Sequence, residues 1–488
     1  MTSKRSDLGR FFDPSSIAIV GVSKGGFRFG GMSFLNKLQK CSFPGKIYPI
    51  NPKAGEIAGI RSYPDLSSLP EVPDLAIVSV AARLVPAVLE ECGRIGLRHV
   101  HILSAGFRET GTEEGRQLEA QIHAIARDVG LMVLGPNCMG PYSPSSRLTA
   151  WGAIPGMSGR LGIISQSGLI TQRITEYASS LGVGVDKAVS FGNAAVLDAA
   201  DFLEFMAAEE RIRVIAMYLE SVQDGRRFLR LARDVNRTKP LIIWKGGDSE
   251  AGALTAASHT GALAGEPRIW EALFRQTGAI PVRSMDEWAD TILALSFLPA
   301  PEGKGVFVIG GGGGDSVVHG DACIRAGLDV PRLSEVTMES LRQSVPMAGC
   351  IAGNPLDMFR VFVDSAYLGE ILDLADRDPH IGMVVVNRVV PRIIFHLPDL
   401  PDPTPGTIQV LKSRGPAKPT VFVVDSEGGD PELAERGADV RGRFCSAGIP
   451  AYPSTQRAAT ALAHLQRYHS FRRRTAARQE REPARTIP

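Results

Sequence analysis

The sequence lacks several features that would assign the chain to other classes of protein. Its six cysteines are scattered along 488 residues without a Cys-x-x-Cys pair, which argues against a zinc site or a disulfide framework and favours a reducing, cytoplasmic environment. No apolar run approaches the roughly 18 residues of a membrane helix, and the first residues lack the apolar core of a signal peptide. The net charge of +2 gives no field that would attract nucleic acid or an anionic membrane.

Glycine, in contrast, is abundant, with 52 residues, many of them directly after short apolar runs. The runs are continuous rather than alternating, as in strands that are buried on both faces of a parallel sheet. This pattern is typical of the βα loops of an α/β fold, and the length suits about three domains. We predict a Rossmann-like domain at residues 1–147, two flavodoxin-like doubly wound domains at 148–299 and 300–470, and a basic tail at 471–488.

The first apolar run ends in the glycine-rich turn Gly21-Val22-Ser23. A turn of this kind places backbone N–H groups and a helix start against a phosphate. The second run ends in Asn51-Pro-Lys53, where a dinucleotide site usually has an acidic residue for a ribose hydroxyl. Lysine favours an additional phosphate instead, and both NADP and coenzyme A carry one on the ribose. A plain tight turn and a surface lysine remain the alternatives.

Two further loops of the first domain follow predicted strands, at Ser104–Phe107 and at Gly135–Gly140. Ligands bind at the carboxyl ends of the strands in sheets of this type. The nearby His99 and His101 share one face of a strand, which raises the question of a metal site. Two histidines without a third ligand favour a structural role.

The second domain contains Ser165-Gln166-Ser167-Gly168 between an apolar run and an amphipathic stretch at 169–181. Hydroxyl and free N–H groups at a helix start form an anion cradle, although a simple N-cap has the same pattern. A later run, 214–219, is followed by Glu220. Because strand ends of one parallel sheet share an edge, we expect Glu220 to lie near this cradle.

A single histidine, His259, stands among small residues in Ala256-Ala-Ser-His-Thr-Gly-Ala-Leu-Ala-Gly265. Small neighbours allow a reactant or a second protein to approach the imidazole closely. A carboxylate such as Glu220 on one ring nitrogen would fix the tautomer and leave the other nitrogen nucleophilic. A helix-start histidine with a structural hydrogen bond is the alternative.

The third domain opens with an apolar run at 305–309 and five glycines, Gly310–Gly314. This stretch lacks the Gly-Lys-Ser/Thr ending of a P-loop. A tight turn or an interface is therefore the favoured interpretation.

Taken together, these motifs are specific. Over about residues 10 to 465 the chain resembles the nucleoside-diphosphate-forming acyl-CoA synthetases, which include the ADP-forming acetyl-CoA synthetases and are related to succinyl-CoA synthetase. It resembles their α part in particular. The motifs that carry the resemblance are Ile19-Val-Gly-Val-Ser23, Ile50-Asn-Pro-Lys53, Ser104-Ala-Gly-Phe107, Gly135-Pro-Asn-Cys138, Ile164-Ser-Gln-Ser-Gly168, Gly192-Asn193, Tyr218-Leu-Glu220, Ser258-His-Thr-Gly-Ala-Leu-Ala-Gly265 and Gly353-Asn-Pro-Leu-Asp357.

The resemblance implies a role for each of these residues. His259 would be the phosphohistidine, and Glu220 would orient and stabilise it. The transferred phosphate and the acyl group would lie near Asn137, Cys138, Ser165, Gln166, Ser167, Gly168, Gly192 and Asn193. Coenzyme A would bind to Gly21, Val22, Ser23, Lys53, Ser79, Val80, Ala81, Ala105, Gly106 and Phe107, and would itself supply the reactive thiol.

The resemblance also implies the reaction, in which a phosphoryl group travels between a nucleotide and an acyl phosphate by way of the histidine. No part of the sequence resembles the ATP-grasp module that binds ATP or ADP with Mg in this family. We therefore expect a separate ATP-grasp β subunit, a hetero-oligomer and a small carboxylic acid as substrate. A non-catalytic CoA or acyl-CoA sensor on the same scaffold is the main alternative, and an NADP-dependent oxidoreductase is a weaker one.

Overall fold

The structure is a computed structural model that describes residues 7–23, 30–53, 55–149, 156–252, 266–310, 312–344, 351–389, 402–414, 417–425 and 430–481. His259 and the rest of segment 253–265 lie outside these residues. The chain divides into two compact units. The first comprises residues 1–179 and 183–283, and the second comprises residues 180–182 and 284–488.

The first sheet of the first unit consists of five parallel strands in the order β2-β1-β5-β6-β7. The strands coincide with the five apolar runs of the first domain, and the order reverses at β1, as in a doubly wound sheet. Helices and short 3-10 turns follow the strands. The elements are β1 (Ser16–Val20), α1 (Gly31–Lys40), β2 (Lys46–Ile50), the hairpin β3 (Glu56–Ile57) and β4 (Ile60–Arg61), β5 (Leu75–Val78), α2 (Val85–Ile95), β6 (His99–Ile102), α3 (Glu113–Val129) and β7 (Met132–Leu134), with 3-10 turns at Gly9–Phe11, Ala82–Leu84 and Arg108–Thr110.

The second sheet of this unit has six strands in the order β13-β12-β11-β9-β10-β8. All pairs are parallel except β8 with β10, which is antiparallel. Its elements are β8 (Gly140–Tyr142), β9 (Ser158–Ser165), α4 (Gly168–Ser180), β10 (Val185–Ser190), α5 (Ala199–Ala208), β11 (Val214–Leu219), α6 (Gly225–Val235), β12 (Leu241–Lys245), α7 (Pro267–Thr277) and β13 (Ile280–Val282).

Strand β8 joins the second sheet before residue 147, where we expected the first domain to end. Gly140, Pro141 and Tyr142 pair with β10, so the chain passes from one sheet to the other within the loop 135–139. This loop is therefore held between two sheets, and its backbone is placed beside the residues that follow β10.

The second unit contains four parallel strands in the order β14-β15-β16-β17. No described helix of the chain is both long enough and apolar enough to cross a membrane. The elements are α8 (Met285–Phe297), β14 (Val306–Ile309), α9 (Gly313–Arg325), α10 (Glu335–Ser344), α11 (Arg360–Val363), α12 (Ser365–Arg377), β15 (Met383–Val389), α13 (Thr404–Ser413), β16 (Thr420–Asp425), α14 (Pro431–Ser446), β17 (Ala451–Tyr452) and α15 (Thr455–Arg481).

Helix α8 falls in this second unit because it packs against α15. The domain bound predicted near residue 299 stays a prediction. The buried carboxylate of Asp290 accepts two hydrogen bonds from Arg457, at 2.6 and 2.9 Å, and Thr291 contacts His464 at 2.8 Å. Residues 471–481, where we expected a basic tail, continue α15.

The Gly310–Gly314 stretch begins with a left-handed residue. Gly310 has a φ of +89°, and a Cβ there would lie 2.7 Å from the carbonyl oxygen of Asn387, so the position requires glycine. Beside it, Asn354 binds the edge strand β14 with its side chain, accepting from the Val308 N–H at 3.0 Å and donating to the Val306 carbonyl at 2.8 Å.

Candidate active site

The turn after β1 is held by a close approach to the end of β5. Gly21 has a φ of +96°, and a Cβ there would lie 2.3 Å from the carbonyl oxygen of Ser79. The Ser79 hydroxyl accepts a hydrogen bond from the N–H of Gly31, the first residue of α1, at 3.0 Å. The structure therefore brings together two of the segments predicted to bind CoA.

Asn51 connects this turn to the predicted phosphate-binding lysine. Its side-chain amide donates to the Val22 carbonyl at 2.5 Å, and its side-chain oxygen accepts from the N–H of Lys53 at 2.8 Å. Lys53 is exposed, whereas the Val22 side chain is fully buried. No atom of Val22 is exposed, its backbone included, and its carbonyl already accepts from Asn51, so the predicted contact of this residue with CoA stays a prediction.

The loop after β6 shows a feature that the motifs did not predict. The N–H groups of Gly106 and Phe107 donate to the side chain of Glu109, at 2.6 and 3.1 Å, and the Phe107 ring is fully buried. These two peptide groups already have an acceptor, so CoA would have to contact other groups of the loop, such as the exposed Ala105.

A cavity of about 350 Å³ lies between this loop and the end of β5. Two predicted CoA-binding residues, Ala81 and Gly106, line it, together with one exposed residue of each charge, Arg83 and Glu114. Arg83 is a basic group suited to an anionic ligand. The sequence does not predict a ligand-binding role for Arg83, because nothing around it distinguishes it from an ordinary surface arginine.

The loop after β7 buries its cysteine. Cys138 lies against the Ile102 carbonyl, with 3.8 Å between sulfur and oxygen, and burial raises the pKa of its thiol far above the ordinary value. A protonated, enclosed thiol is a poor nucleophile, which agrees with the expectation that CoA supplies the reactive sulfur. Asn137 has a φ of +57° and donates its N–H to the Ser104 carbonyl at 2.9 Å.

The histidine pair on β6 has packing partners rather than metal-binding ones. His101 is fully buried, with Nε2 at 3.1 Å from the Cys138 carbonyl, and burial lowers its pKa to about 4. His99 packs edge-on against Phe11 at 5.3 Å. Among the described residues, no group of three or more His, Cys, Asp or Glu side chains could hold a metal ion.

The residues after β10 lie directly on the loop after β7. A Cβ on Gly192, which has a φ of +55°, would lie 2.3 Å from the carbonyl oxygen of Pro136. The N–H of Asn193 donates to that same carbonyl at 3.0 Å. The contact places Gly192 and Asn193 beside Asn137, so three predicted substrate residues are brought together.

The predicted phosphate-binding loop, Ser165–Gly168, and the predicted carboxylate, Glu220, are joined by hydrogen bonds. Gln166 extends its side-chain oxygen across the edge of the sheet, where it accepts the N–H groups of Glu220 at 2.5 Å and Ser221 at 2.9 Å. The Ser165 hydroxyl accepts the N–H of Ser167 at 3.1 Å, which shapes the loop before α4. Glu220 itself is buried.

Two further groups interact with Glu220: Tyr218, which belongs to a quoted motif but has no predicted role, and Lys245, which belongs to none. The Tyr218 hydroxyl donates to Glu220 at 3.4 Å, and burial, together with this carboxylate, raises the pKa of Tyr218. Lys245 is buried at the end of β12, above the ring of Trp270, and burial lowers its pKa while Glu220 opposes that shift. A lysine that ends an apolar run was the sequence signal for this residue.

Strand β12, the last described strand before the His259 segment, ends at this same edge of the sheet. Leu219 on β11 and Lys245 on β12 are register partners on neighbouring parallel strands. Glu220, which follows Leu219, therefore lies at the edge of the sheet where β12 ends. The position of His259 itself lies outside the described residues, and the prediction that it meets Glu220 stays a prediction.

Comparison with known proteins assigns the chain to the acid–thiol ligases of the CoA-ligase type. Three family models match in the same order: a CoA-binding domain over residues 15–143, a succinyl-CoA-ligase-like flavodoxin domain over 158–295 and a ligase-CoA domain over 306–477. The predicted fold class is thereby confirmed.

Individual relatives narrow the class to a family. The alpha subunit of ADP-forming acetate–CoA ligase I from Pyrococcus furiosus is 35% identical over 95% of this chain and 98% of its own length. ADP-forming acetate–CoA ligase I from Archaeoglobus fulgidus is 37% identical over 72% of this chain, but this match covers only 50% of that relative.

A solved structure gives the same result. The acetyl-coenzyme A synthetase 1 of Ca. Korarchaeum cryptofilum, determined with phosphate and ADP, superimposes with a TM-score of 0.84 at 32% identity, over 96% of this chain and 98% of that one. The chain belongs to the family of ADP-forming acid–CoA ligases and corresponds to their alpha subunit. The family suggested by the sequence motifs is confirmed.

Proposed function

We propose that this chain is the α subunit of an enzyme that joins a small carboxylic acid to CoA at the expense of ATP, through a phosphohistidine at His259. The observation that carries the proposal is a pair of hydrogen bonds to the side-chain oxygen of Gln166. They join the Ser165–Gly168 loop to the backbone at Glu220 at one edge of the sheet. The strand that leads to the His259 segment ends at that edge.

The proposed chemistry has three steps. His259 attacks the γ-phosphate of ATP and ADP leaves; the carboxylate substrate then takes the phosphoryl group to form an acyl phosphate. The CoA thiol attacks the acyl carbon, and inorganic phosphate leaves. Glu220 would hold one ring nitrogen of His259 so that the other is the nucleophile. The start of α4, with Ser167 and Gly168, would bind the phosphoryl oxygens.

The first sheet would supply the CoA-binding half of the reaction. Its turn at Gly21–Ser23, the exposed Lys53 and the cavity bounded by Ala81, Arg83 and Gly106 offer backbone and basic groups for the phosphates. The buried Cys138 would border the acyl end of CoA without reacting.

A second chain would supply the nucleotide site. We propose an ATP-grasp β subunit that holds ATP or ADP with Mg²⁺, a hetero-oligomeric enzyme and a cytoplasmic location. The proposal is supported by the name of the Pyrococcus furiosus relative, which is that of an alpha subunit.

The experiment is phosphorylation of the purified chain by γ-labelled ATP in the presence of the candidate β chain. We expect acid-labile phosphate on the protein, its loss in His259→Ala and a large decrease in Glu220→Gln. His123→Ala is the matched control, because His123 is exposed on α3 in the first sheet's layer; it should be phosphorylated like wild type.

Thioester formation from CoA and a panel of carboxylic acids then identifies the substrate. Absence of acid-labile phosphate with every ATP-grasp partner, while calorimetry still detects CoA binding, would overturn the proposal and support a CoA-binding regulatory protein instead.

A further inference from the structure

A carboxylate outside the predicted site joins the CoA loop to the substrate loop. One oxygen of Glu109 accepts the N–H groups of Gly106 and Phe107, at 2.6 and 3.1 Å. The other oxygen accepts the side-chain N–H of Asn193 at 2.6 Å. Glu109 follows β6 in the first sheet, whereas Asn193 follows β10 in the second, so the carboxylate bridges two layers of the first unit.

Asn193 is fully buried and uses all its polar groups. Its amide also donates to Glu119 at 2.9 Å, its side-chain oxygen accepts from Asn137 at 3.4 Å, and its carbonyl accepts from Arg108. A buried amide whose donors and acceptors all have partners has one orientation, since rotation would leave polar atoms without partners.

The charges of this network are arranged around one arginine. Arg108 lies 3.1 Å from Glu119, and burial raises the pKa of Glu119 while Arg108 opposes the shift. Glu109 accepts hydrogen bonds from two peptide N–H groups and from the Asn193 amide. The network is therefore a defined connection rather than a loose surface contact.

We propose that Glu109 and Asn193 are positioning residues that hold the CoA loop, residues 104–107, in fixed register with the loop at Gly192, and thereby align the CoA thiol with the acyl phosphate. This inference rests on the proposed function. Neither residue reacts, and Glu109 acts through the two peptide groups that it holds.

The test uses Glu109→Gln, which preserves size and one acceptor but places an N–H group opposite the donor of Asn193. The two half-reactions are measured separately with the complete enzyme. Phosphorylation of the protein by ATP requires no CoA and should stay within about twofold of wild type. Thioester formation should fall by at least about tenfold in kcat/KM for CoA, because alignment of reactants contributes strongly to rate.

Glu113→Gln is the matched control, since Glu113 is an exposed carboxylate at the start of α3 that contacts Arg116 and Gln117; it should leave both half-reactions unchanged. A Glu109→Gln enzyme with unaltered kcat/KM for CoA would overturn the inference. Equal loss of both half-reactions with a lowered melting temperature would also overturn it, because that result describes a structural role only.

Failure of the proposed function gives a different result. In that case the wild-type chain shows no phosphohistidine. Calorimetry can still compare the Kd for CoA of the wild-type chain with that of Glu109→Gln. A Kd for CoA that is the same in wild type and Glu109→Gln would then count against the inference independently.

Discussion

Gln166 and Glu220 are joined across neighbouring parallel strands by a hydrogen bond of 2.5 Å, from the peptide N–H of the glutamate to the side-chain oxygen of the glutamine. The same oxygen accepts the N–H of Ser221 at 2.9 Å. A neutral amide thus shapes the backbone that carries the carboxylate, without adding a second charge beside it. The first prediction follows from this pair.

Gln166→Ala removes the acceptor for two peptide groups at a buried edge. Each N–H left without an acceptor costs about 1–3 kcal/mol, so we expect the backbone at Glu220 to shift and phosphohistidine formation to slow by more than about tenfold. Rapid-quench measurement of acid-labile phosphate checks the rate, and urea unfolding checks stability. Gln172→Ala, in the first half of α4, removes a side chain that donates to Glu176 at 3.0 Å and should behave as wild type. Unchanged phosphorylation in Gln166→Ala would contradict the assigned role.

Gly192→Ala should disturb the contact between the two sheets. The position has a φ of +55°, and its Cβ would lie 2.3 Å from the Pro136 oxygen and 2.4 Å from the Asn137 oxygen, so one loop must move. We expect a lower melting temperature and a larger loss of thioester formation than of phosphohistidine formation. Gly225→Ala, with no atom within 4 Å of the new Cβ, is the control and should be neutral or slightly stabilising because alanine favours helix.

Acid should destabilise the first unit through His101. Burial lowers the pKa of this histidine to about 4, below its value near 6.5 in the unfolded chain. The unfolded state therefore binds more protons between these values, and the free energy of unfolding falls as pH falls from about 6.5 to 4, by about 3 kcal/mol from this group.

Urea unfolding of wild type and His101→Gln across this pH range measures the effect. The variant should lose less stability on acidification, because glutamine can donate to the Cys138 carbonyl without titrating. Parallel pH dependence in the two proteins would show that His101 contributes nothing.

Native protein should resist alkylation at Cys138. Burial raises the pKa of this thiol far above the ordinary value and of Cys92 to about 12, so little thiolate is present at pH 7.5. Peptide mapping after brief iodoacetamide treatment should show slow labelling of both cysteines in the folded chain and complete labelling in urea. Rapid labelling of Cys138 with loss of thioester formation would instead indicate a reactive thiol.

Much of the fold could be predicted because long strands carry a strong signal. The run at 214–219 forms β11 with its predicted bounds, and Glu220 follows it at the sheet edge. Since parallel strands share their carboxyl edge, placing Glu220 near the Ser165–Gly168 loop needed only the assignment of two strands.

The rest depended on information that runs and motifs do not contain. Strands β8, β13 and β17 have only two or three residues, too few for a pattern, and β8 moved the passage between sheets ahead of the expected boundary. Helix α8 packs against α15 through contacts that are distant in sequence, among them Asp290 with Arg457 and Thr291 with His464. The motifs do not predict Glu109, because two of its partners are backbone N–H groups and the third is the side chain of Asn193, 84 residues away in the sequence.

The acceptor that Glu109 provides for Gly106 and Phe107 has a thermodynamic consequence. The peptide donors of this loop are satisfied as the chain folds, so its conformational entropy is lost then rather than when coenzyme arrives. CoA should therefore bind to a loop that is already ordered. The unfavourable entropy of association measured by calorimetry should then come mainly from ordering the flexible arm of the coenzyme.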